Sequence, residues 1–106
     1  MDKNCFQNKV IIITGASSGI GLASARLFGS YGAKVVMAAR HLDKLEAEVP
    51  SVSPNPDNVL CVKTDVSKEE DCRALIEKTV EKFGRIDILV NNAGISMRAM
   101  FKDLDL

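Results

Sequence analysis

A run of glycine and serine residues near the start of the chain has the composition of a phosphate-binding turn. It reads Thr14-Gly15-Ala16-Ser17-Ser18-Gly19-Ile20-Gly21. Glycines at these spacings allow a sharp turn, a close approach of the backbone to a ligand, and tight packing of a helix on a strand. If a helix begins here, its free N–H groups and the positive end of its dipole favour an anion such as a pyrophosphate. The segment therefore predicts a dinucleotide phosphate site, with a glycine turn that binds no ligand as the alternative.

Four short apolar runs predict the strands that position this turn. Residues 9–14 are mostly β-branched and end at Gly15, and residues 34–39, 59–62 and 86–90 form three further runs. Short apolar runs of this kind are typical of strands buried on both faces of a parallel sheet. We therefore expect the glycine turn at the carboxyl end of the first strand.

Apolar residues at helical spacing fill the segments between the strands. The first helix is expected to end near Gly32 and to bury Ile20, Ala23, Ser24, Leu27, Phe28 and Tyr31. A short helix through Leu42 and Val49 is expected to stop before Pro50, with a solvated loop over residues 50–56.

The third helix is the clearest of the three. Ser67 and Glu70 have the spacing of a capping box, in which each side chain satisfies a free N–H at the helix start. Gly84 is placed to end the helix, and its inner face is expected to hold Cys72, Leu75, Ile76, Thr79, Val80 and Phe83. The order β-α-β-α-β-α-β predicts an α/β fold, a Rossmann-type doubly wound parallel sheet of order 3-2-1-4 with helices on both faces.

Composition narrows the class of protein further. The 106 residues are 46% hydrophobic, and 14 Lys and Arg balance 14 Asp and Glu, so we expect no nucleic-acid partner. No apolar run is long enough for a membrane span, and the start of the chain lacks the apolar region of a secretory signal. The 3 cysteines match neither a disulfide framework nor a metal site. We therefore expect a cytoplasmic domain with no metal and no membrane partner.

Three motifs in order carry a resemblance to a known family. The spacing Gly-x-x-x-Gly-x-Gly after Thr14 resembles that of the short-chain dehydrogenase/reductase family. Asn91-Asn92-Ala93-Gly94 is similar to the family's second hallmark, and Thr64-Asp65-Val66 to its adenine-contacting stretch. The resemblance covers residues 8–106. It implies an oxidoreductase that transfers a hydride between a nicotinamide dinucleotide and an alcohol or carbonyl substrate, and identifies residues 1–106 as the N-terminal part of one NAD(P)-binding Rossmann domain.

The resemblance also implies roles for individual residues. Asp65 would accept a hydrogen bond from the adenine amino group beside Val66, although it could instead serve as a partner of the following helix dipole. Thr14 and Asn91 would brace neighbouring strands. The implied cofactor-binding residues of the glycine turn and the second hallmark are Gly15, Ser17, Ser18, Gly19, Ile20, Gly21, Asn92, Ala93 and Gly94.

Charge at the end of the second strand favours NADP(H) over NAD(H). In NAD-preferring relatives an acidic residue at this place holds the 2′-hydroxyl of the adenosine ribose. Here Ala39 occupies that place and Arg40 follows it. A guanidinium can hold a 2′-phosphate by paired, charge-assisted hydrogen bonds, whereas a carboxylate would repel it. His41 could flank the same phosphate, but a surface loop position is the preferred interpretation.

The family's catalytic pair, Tyr-x-x-x-Lys, is absent from these residues. Tyr31 is the only tyrosine, and residue 35 is Val rather than Lys, so Tyr31 is interpreted as a packing residue. We therefore expect no catalytic residue in this chain, a catalytic C-terminal half outside it, and no turnover by these residues alone. We also expect the protein to form a homo-oligomer. The alternative is a non-catalytic dinucleotide-binding or assembly module.

Overall fold

The computed structural model describes residues 5–92, which contain four strands and three α-helices. In chain order these are β1 (Val10–Thr14), α1 (Gly19–Ser30), β2 (Lys34–Ala39), α2 (Leu42–Val52), β3 (Val59–Lys63), α3 (Glu69–Phe83) and β4 (Ile88–Asn91), with a 3₁₀ turn (Pro56–Asn58) before β3. None of the helices in this part of the chain has the length and apolar character needed to cross a membrane.

The four strands form one parallel sheet of order β3-β2-β1-β4. This confirms the predicted topology. The register pairs Thr14 with Ala38 on one side and with Asn91 on the other, and it pairs Ala39 with Lys63. Because the strands are parallel, the loops that follow β1, β2 and β3 all leave the sheet at the carboxyl ends of its strands.

Each face of the sheet carries its own apolar core. Ile11, Ile13, Val35 and Met37 belong to one core with buried residues of α1 and α2. The alternate strand residues, among them Val10, Ile12 and Val36, belong to the other core. The inner face of α3 contributes Cys72, Leu75 and Ile76 to the same core. The period-2 alternation of side chains explains this division, and it confirms the prediction of helices on both faces.

The predicted inner face of α1 is wrong in part. Phe28 packs against the core as predicted, but Ile20 is 75% exposed and Leu27 is 50% exposed. The fully buried residues of α1 are Gly21, Ala25 and Gly29. The reason is the closeness of the packing. A Cβ atom on Gly29 would overlap the carbonyl oxygen of Val52 in α2, so only a very small residue fits on this face.

Two predicted helix boundaries are also wrong. The helix α2 does not stop before Pro50 but continues to Val52, with Pro50 exposed in its last turn. One missing N–H so near the end costs α2 a single hydrogen bond, while Val52 is buried against α1. The solvated loop is correspondingly shorter than residues 50–56.

The capping box of α3 does not form. The N-cap residue is Lys68, which makes no side-chain capping bond, and the helix begins at Glu69. Ser67 instead donates its hydroxyl proton to Asp65 Oδ1 over 2.6 Å, because that carboxylate closes a tight turn two residues earlier. The other end is as predicted, since Gly84 ends α3 with φ of 82°.

Candidate functional site

A cavity of about 450 Å³ lies at the carboxyl ends of β1, β2 and β3. Three loops meet there, one from each strand, as the parallel register requires. The lining residues are Gly15, Ser17, Ser18, Ala38, Ala39, Arg40, His41, Thr64, Asp65, Val66 and Ser67.

The glycine turn after β1 is held in a conformation that two of its glycines make possible. Gly15 has φ of 63° and Gly19 has φ of 59°, both in the left-handed region. Among residues 5–92, no heavy atom outside the neighbouring residues and the backbone of α1 lies within 4 Å of the place where a Cβ atom on Gly19 would stand. The backbone at Gly19 is therefore open to a close approach by a ligand.

Gly21 has a different role from Gly19, because its surroundings are full. A Cβ atom there would overlap the carbonyl oxygen of Gly15 and would lie 2.8 Å from Asn92 Nδ2. The first turn of α1 therefore packs directly on the glycine turn and on the residue that follows β4. This is the tight packing expected of Gly21 from the sequence.

The start of α1 carries no negative charge of its own. Its first turn has no acidic residue, whereas Asp43 lies in the first turn of α2, and Glu69, Glu70 and Asp71 lie in that of α3. Ser18 is the N-cap residue of α1, yet its side chain makes no capping hydrogen bond and lines the cavity. The positive end of this helix dipole is thus available to an anion, so these residues fit a dinucleotide phosphate.

Thr14 and Asn91 join β1 to β4 at the base of the glycine turn. The buried Thr14 hydroxyl donates to Asn91 Oδ1 over 3.0 Å, as the predicted bracing role requires. The same hydroxyl oxygen accepts the Asn92 N–H at 2.9 Å, and Asn92 Nδ2 lies 3.4 Å from the Gly15 carbonyl oxygen. Asn92 therefore supports the glycine turn from behind.

The loop after β3 forms the opposite wall. Asp65 Oδ1 accepts hydrogen bonds from the Ser67 N–H at 3.0 Å and from the Ser67 hydroxyl at 2.6 Å. These two bonds, with a smaller contribution from the charges of Lys68 and Arg40, hold the pKa of Asp65 below its ordinary value. Asp65 is therefore an ionised acceptor at neutral pH.

The third wall comes from the end of β2. Arg40 and His41 are exposed and line the cavity, and β2 ends at Ala39 rather than at an acidic residue. Arg40 is on the same cavity as Asp65, and its charge favours the ionised form of that carboxyl group. The cavity thus presents a cation and an anion on adjacent loops.

The structure brings together six of the residues predicted from the sequence as cavity-lining residues: Gly15, Ser17, Ser18, Arg40, Asp65 and Val66. Gly21 and Asn92 do not line this cavity and contact the glycine turn from behind. The predicted residues Ala93 and Gly94 lie outside the described residues. The capping-box prediction for Ser67 does not anticipate its place in the cavity wall, although the spacing Asp-x-Ser is itself a turn signal.

Within residues 5–92 no group of three or more His, Cys, Asp or Glu side chains could hold a metal ion. Cys72 is buried and Cys61 is partly buried in the two cores. Burial raises the pKa of both thiols, with the nearby carboxylates of Glu46 at Cys61 and of Asp71 at Cys72 adding to it. Both cysteines therefore remain thiols at neutral pH.

Several known proteins resemble this chain. An uncharacterized oxidoreductase of Listeria monocytogenes, Lmo0432, is 51% identical over 89 residues, which cover 84% of this chain and 36% of the relative. The 3-ketoacyl-(acyl-carrier-protein) reductase of Brucella melitensis, solved with NADH, is 40% identical with a TM-score of 0.73, over 79% of this chain and 33% of that one. The C-domain of a bacterial malonyl-CoA reductase, solved with NADP, is 34% identical with a TM-score of 0.81, over 88% of this chain and 16% of that one.

The chain spans little more than a third of the length of the curated relative from Listeria. A family model for short chain dehydrogenases matches residues 9–106. Together with the glycine turn and the β3-β2-β1-β4 sheet, this match shows that the chain belongs to the short-chain dehydrogenase family of oxidoreductases.

Proposed function

We propose that this chain binds NADP(H) and supplies the cofactor-binding part of a short-chain oxidoreductase. The observation that carries the proposal is the convergence of three loops, from β1, β2 and β3, on one cavity. The uncharged start of α1 suits the diphosphate, with Ser17 and Ser18 as hydroxyl donors. The ionised Asp65 suits the adenine amino group, with Val66 beside the ring. Gly19 and Ile20 stand at the open side of the turn, where a phosphate would approach.

The choice of NADP(H) rests on Arg40. Its guanidinium stands at the cavity where no acidic side chain ends β2, an arrangement that suits a 2′-phosphate and not the free 2′-hydroxyl held by a carboxylate. The solved relatives include one with NADH and one with NADP, so the family alone does not decide between the two cofactors. The charge of Arg40 is the feature of this chain that distinguishes them.

The reaction we propose for the whole protein is hydride transfer to or from an alcohol or carbonyl substrate. Bound nicotinamide would supply the hydride chemistry, while the residues of this chain would bind and orient the dinucleotide. Asn92, Ala93 and Gly94 would line its ribose side, as the family resemblance implies. A cytoplasmic location and a homo-oligomeric state, both expected from the sequence, complete the proposal.

Replacement of Arg40 by Asp tests the cofactor choice. We expect the Kd of NADPH to rise about 10- to 100-fold, because hydrogen bonds to a charged group contribute about 1.5–3 kcal/mol and the new carboxylate repels the phosphate. The Kd of NADH should stay unchanged or fall. Fluorescence titration of the reduced cofactors measures both constants. Lys78→Asp, on the exposed side of α3, makes the same charge change away from the cavity and serves as the control.

Two results would contradict this proposal. Wild-type protein that binds NADH as tightly as NADPH would remove the preference assigned to Arg40. Wild-type protein that binds neither dinucleotide at millimolar concentration would remove the assignment of the cavity itself.

A further inference from the structure

The first turn of α3 reaches back and holds the loop that follows β3. Asp71 Oδ2 accepts the backbone N–H of Asp65 over 2.9 Å. The thiol of the next residue, Cys72, donates to the carbonyl oxygen of Val66 over 3.6 Å. Two consecutive residues of α3 therefore contact two consecutive residues of the cavity wall.

Asp71 differs from the other acidic residues of its turn. Glu69 and Glu70 are exposed, and Glu69 makes an exposed ion pair with Arg73. Asp71 is only partly exposed, and its carboxylate is directed at the N–H group of Asp65, six residues earlier in the chain. A charge-assisted bond to a backbone N–H fixes the loop more firmly than a neutral one would.

Apart from the Lys68 N–H, which donates to the Asp65 carbonyl oxygen over 2.9 Å within the same turn, the hydrogen bonds around Asp65 divide into two sets with separate tasks. The bonds from Ser67 orient the carboxylate of Asp65, because both end on its Oδ1 atom. The bond to Asp71 fixes the backbone from which that carboxylate projects. Without the second set, the oriented carboxylate could move as a unit together with the loop.

We propose that Asp71 is a positioning residue for adenine recognition, acting through the backbone N–H of Asp65. The inference rests on the proposed binding of a nicotinamide dinucleotide at this cavity. Asp71 holds the backbone of Asp65 and Val66 in the position from which the Asp65 carboxylate reaches the adenine amino group. Its loss allows the loop to shift, so the protein distinguishes adenine from other bases less well.

The test compares NADPH with its deamino analogue, in which hypoxanthine replaces adenine and the amino group is lost. A hydrogen bond to a charged group predicts that wild-type protein prefers NADPH by about 10-fold. In Asp71→Ala we expect this ratio of Kd values to fall to about 2-fold or less, a loss of about 1 kcal/mol of discrimination. The ratio of the two Kd values is the chosen readout because a general loss of stability weakens the binding of both ligands alike.

Three further variants make the test selective. Asp71→Asn keeps an acceptor oxygen in the same place and should retain most of the preference. Asp71→Glu keeps the negative charge in the first turn of α3 but displaces the carboxylate, so it should lower the ratio and serves if Asp71→Ala does not fold. Glu70→Ala removes an exposed carboxylate of the same turn and should leave the ratio unchanged.

The outcomes separate this inference from the proposal beneath it. Wild-type protein that binds neither ligand contradicts the proposed function and the inference together. Wild-type protein that binds both equally contradicts the adenine contact of Asp65, and the role of Asp71 with it. A clear wild-type preference that survives unchanged in Asp71→Ala, or in Asp71→Glu if the first variant does not fold, contradicts the positioning role alone.

Discussion

Replacement of Gly21 by Ala measures how closely α1 must approach the glycine turn. The added Cβ atom would overlap the carbonyl oxygen of Gly15 and lie 2.8 Å from Asn92 Nδ2. In an ordinary helix this change stabilises by up to about 1 kcal/mol, whereas overpacking costs about 1–3 kcal/mol. Because hydrogen bonds from Asn92 brace the turn, we expect the upper end of that cost, and a net loss of about 2 kcal/mol in the free energy of unfolding. Urea unfolding followed by far-UV circular dichroism measures it.

Gly19→Ala is the matched comparison for Gly21→Ala. Within the part of the chain that the structure describes, no atom outside α1 and the adjacent residues crowds the new Cβ, so the expected cost is the strain of φ at 59°, about 1 kcal/mol. The Cβ atom would, however, stand where the phosphates approach. We therefore expect Gly19→Ala to lose more free energy of NADPH binding than free energy of unfolding. If Gly21→Ala proves as stable as wild-type protein, or more stable, the turn yields easily and the close-packing argument is refuted.

Two further predictions concern stability away from the cavity. Gly29→Ala should lower the free energy of unfolding by about 1–2 kcal/mol, because its Cβ atom would overlap the Val52 carbonyl oxygen, and thermal unfolding checks the sign. Asp87→Asn should cost about 1 kcal/mol at neutral pH, because Asp87 Oδ2 accepts the Val10 N–H at 2.8 Å and an Arg85 N–H at 2.9 Å. These contacts lower the pKa of Asp87, so its stabilisation is present above about pH 4 and is lost as the pH falls further; unfolding at several pH values should show the gap to Asp87→Asn closing in acid.

Controls for these two variants come from exposed positions. Ala23→Gly, on the solvent side of α1, should cost about 1 kcal/mol through helix propensity alone, the opposite preference to that at residue 29. Glu69→Gln breaks an exposed ion pair and should change stability by only a few tenths of a kcal/mol, or about 0.5 kcal/mol at most. A stabilised Gly29→Ala, or a gap for Asp87→Asn that persists below pH 2, would refute the corresponding argument.

The fold could be predicted because its main features depend on local pattern. The apolar runs gave all four strands to within two residues at each end, and the alternation with helices gave a parallel sheet in the correct order. Chain handedness and short connections leave few other arrangements of such elements. The helix starts were harder to predict. At Ser67 two local hydrogen-bonding motifs competed for one hydroxyl, and the nearer acceptor, Asp65, prevailed.

The candidate site could be predicted only at positions where the type of residue itself indicates the role. Glycines at a turn and an arginine at a strand end are such cases. Asp71 is not, because an acidic residue in the first turn of a helix is common and its bond to Asp65 spans two elements. Asn92 is similar, since the sequence suggests a ligand contact while the structure places its amide behind Gly15.

The error over α1 has the same physical origin as the site. Hydrophobic periodicity assumes that the largest apolar residues of a helix face the core, which places Ile20 and Leu27 inside. In α1 the helix must instead lie so close to the glycine turn and to α2 that Gly21, Ala25 and Gly29 occupy its buried face, while Ile20 and Leu27 turn outward. That closeness places the N-cap residue of α1, Ser18, at the cavity beside the glycine turn. Larger residues at positions 21 and 29 would satisfy the hydrophobic pattern better, but they would push α1 away from the glycine turn and from α2 and move its N-terminus from the place where an anion would bind.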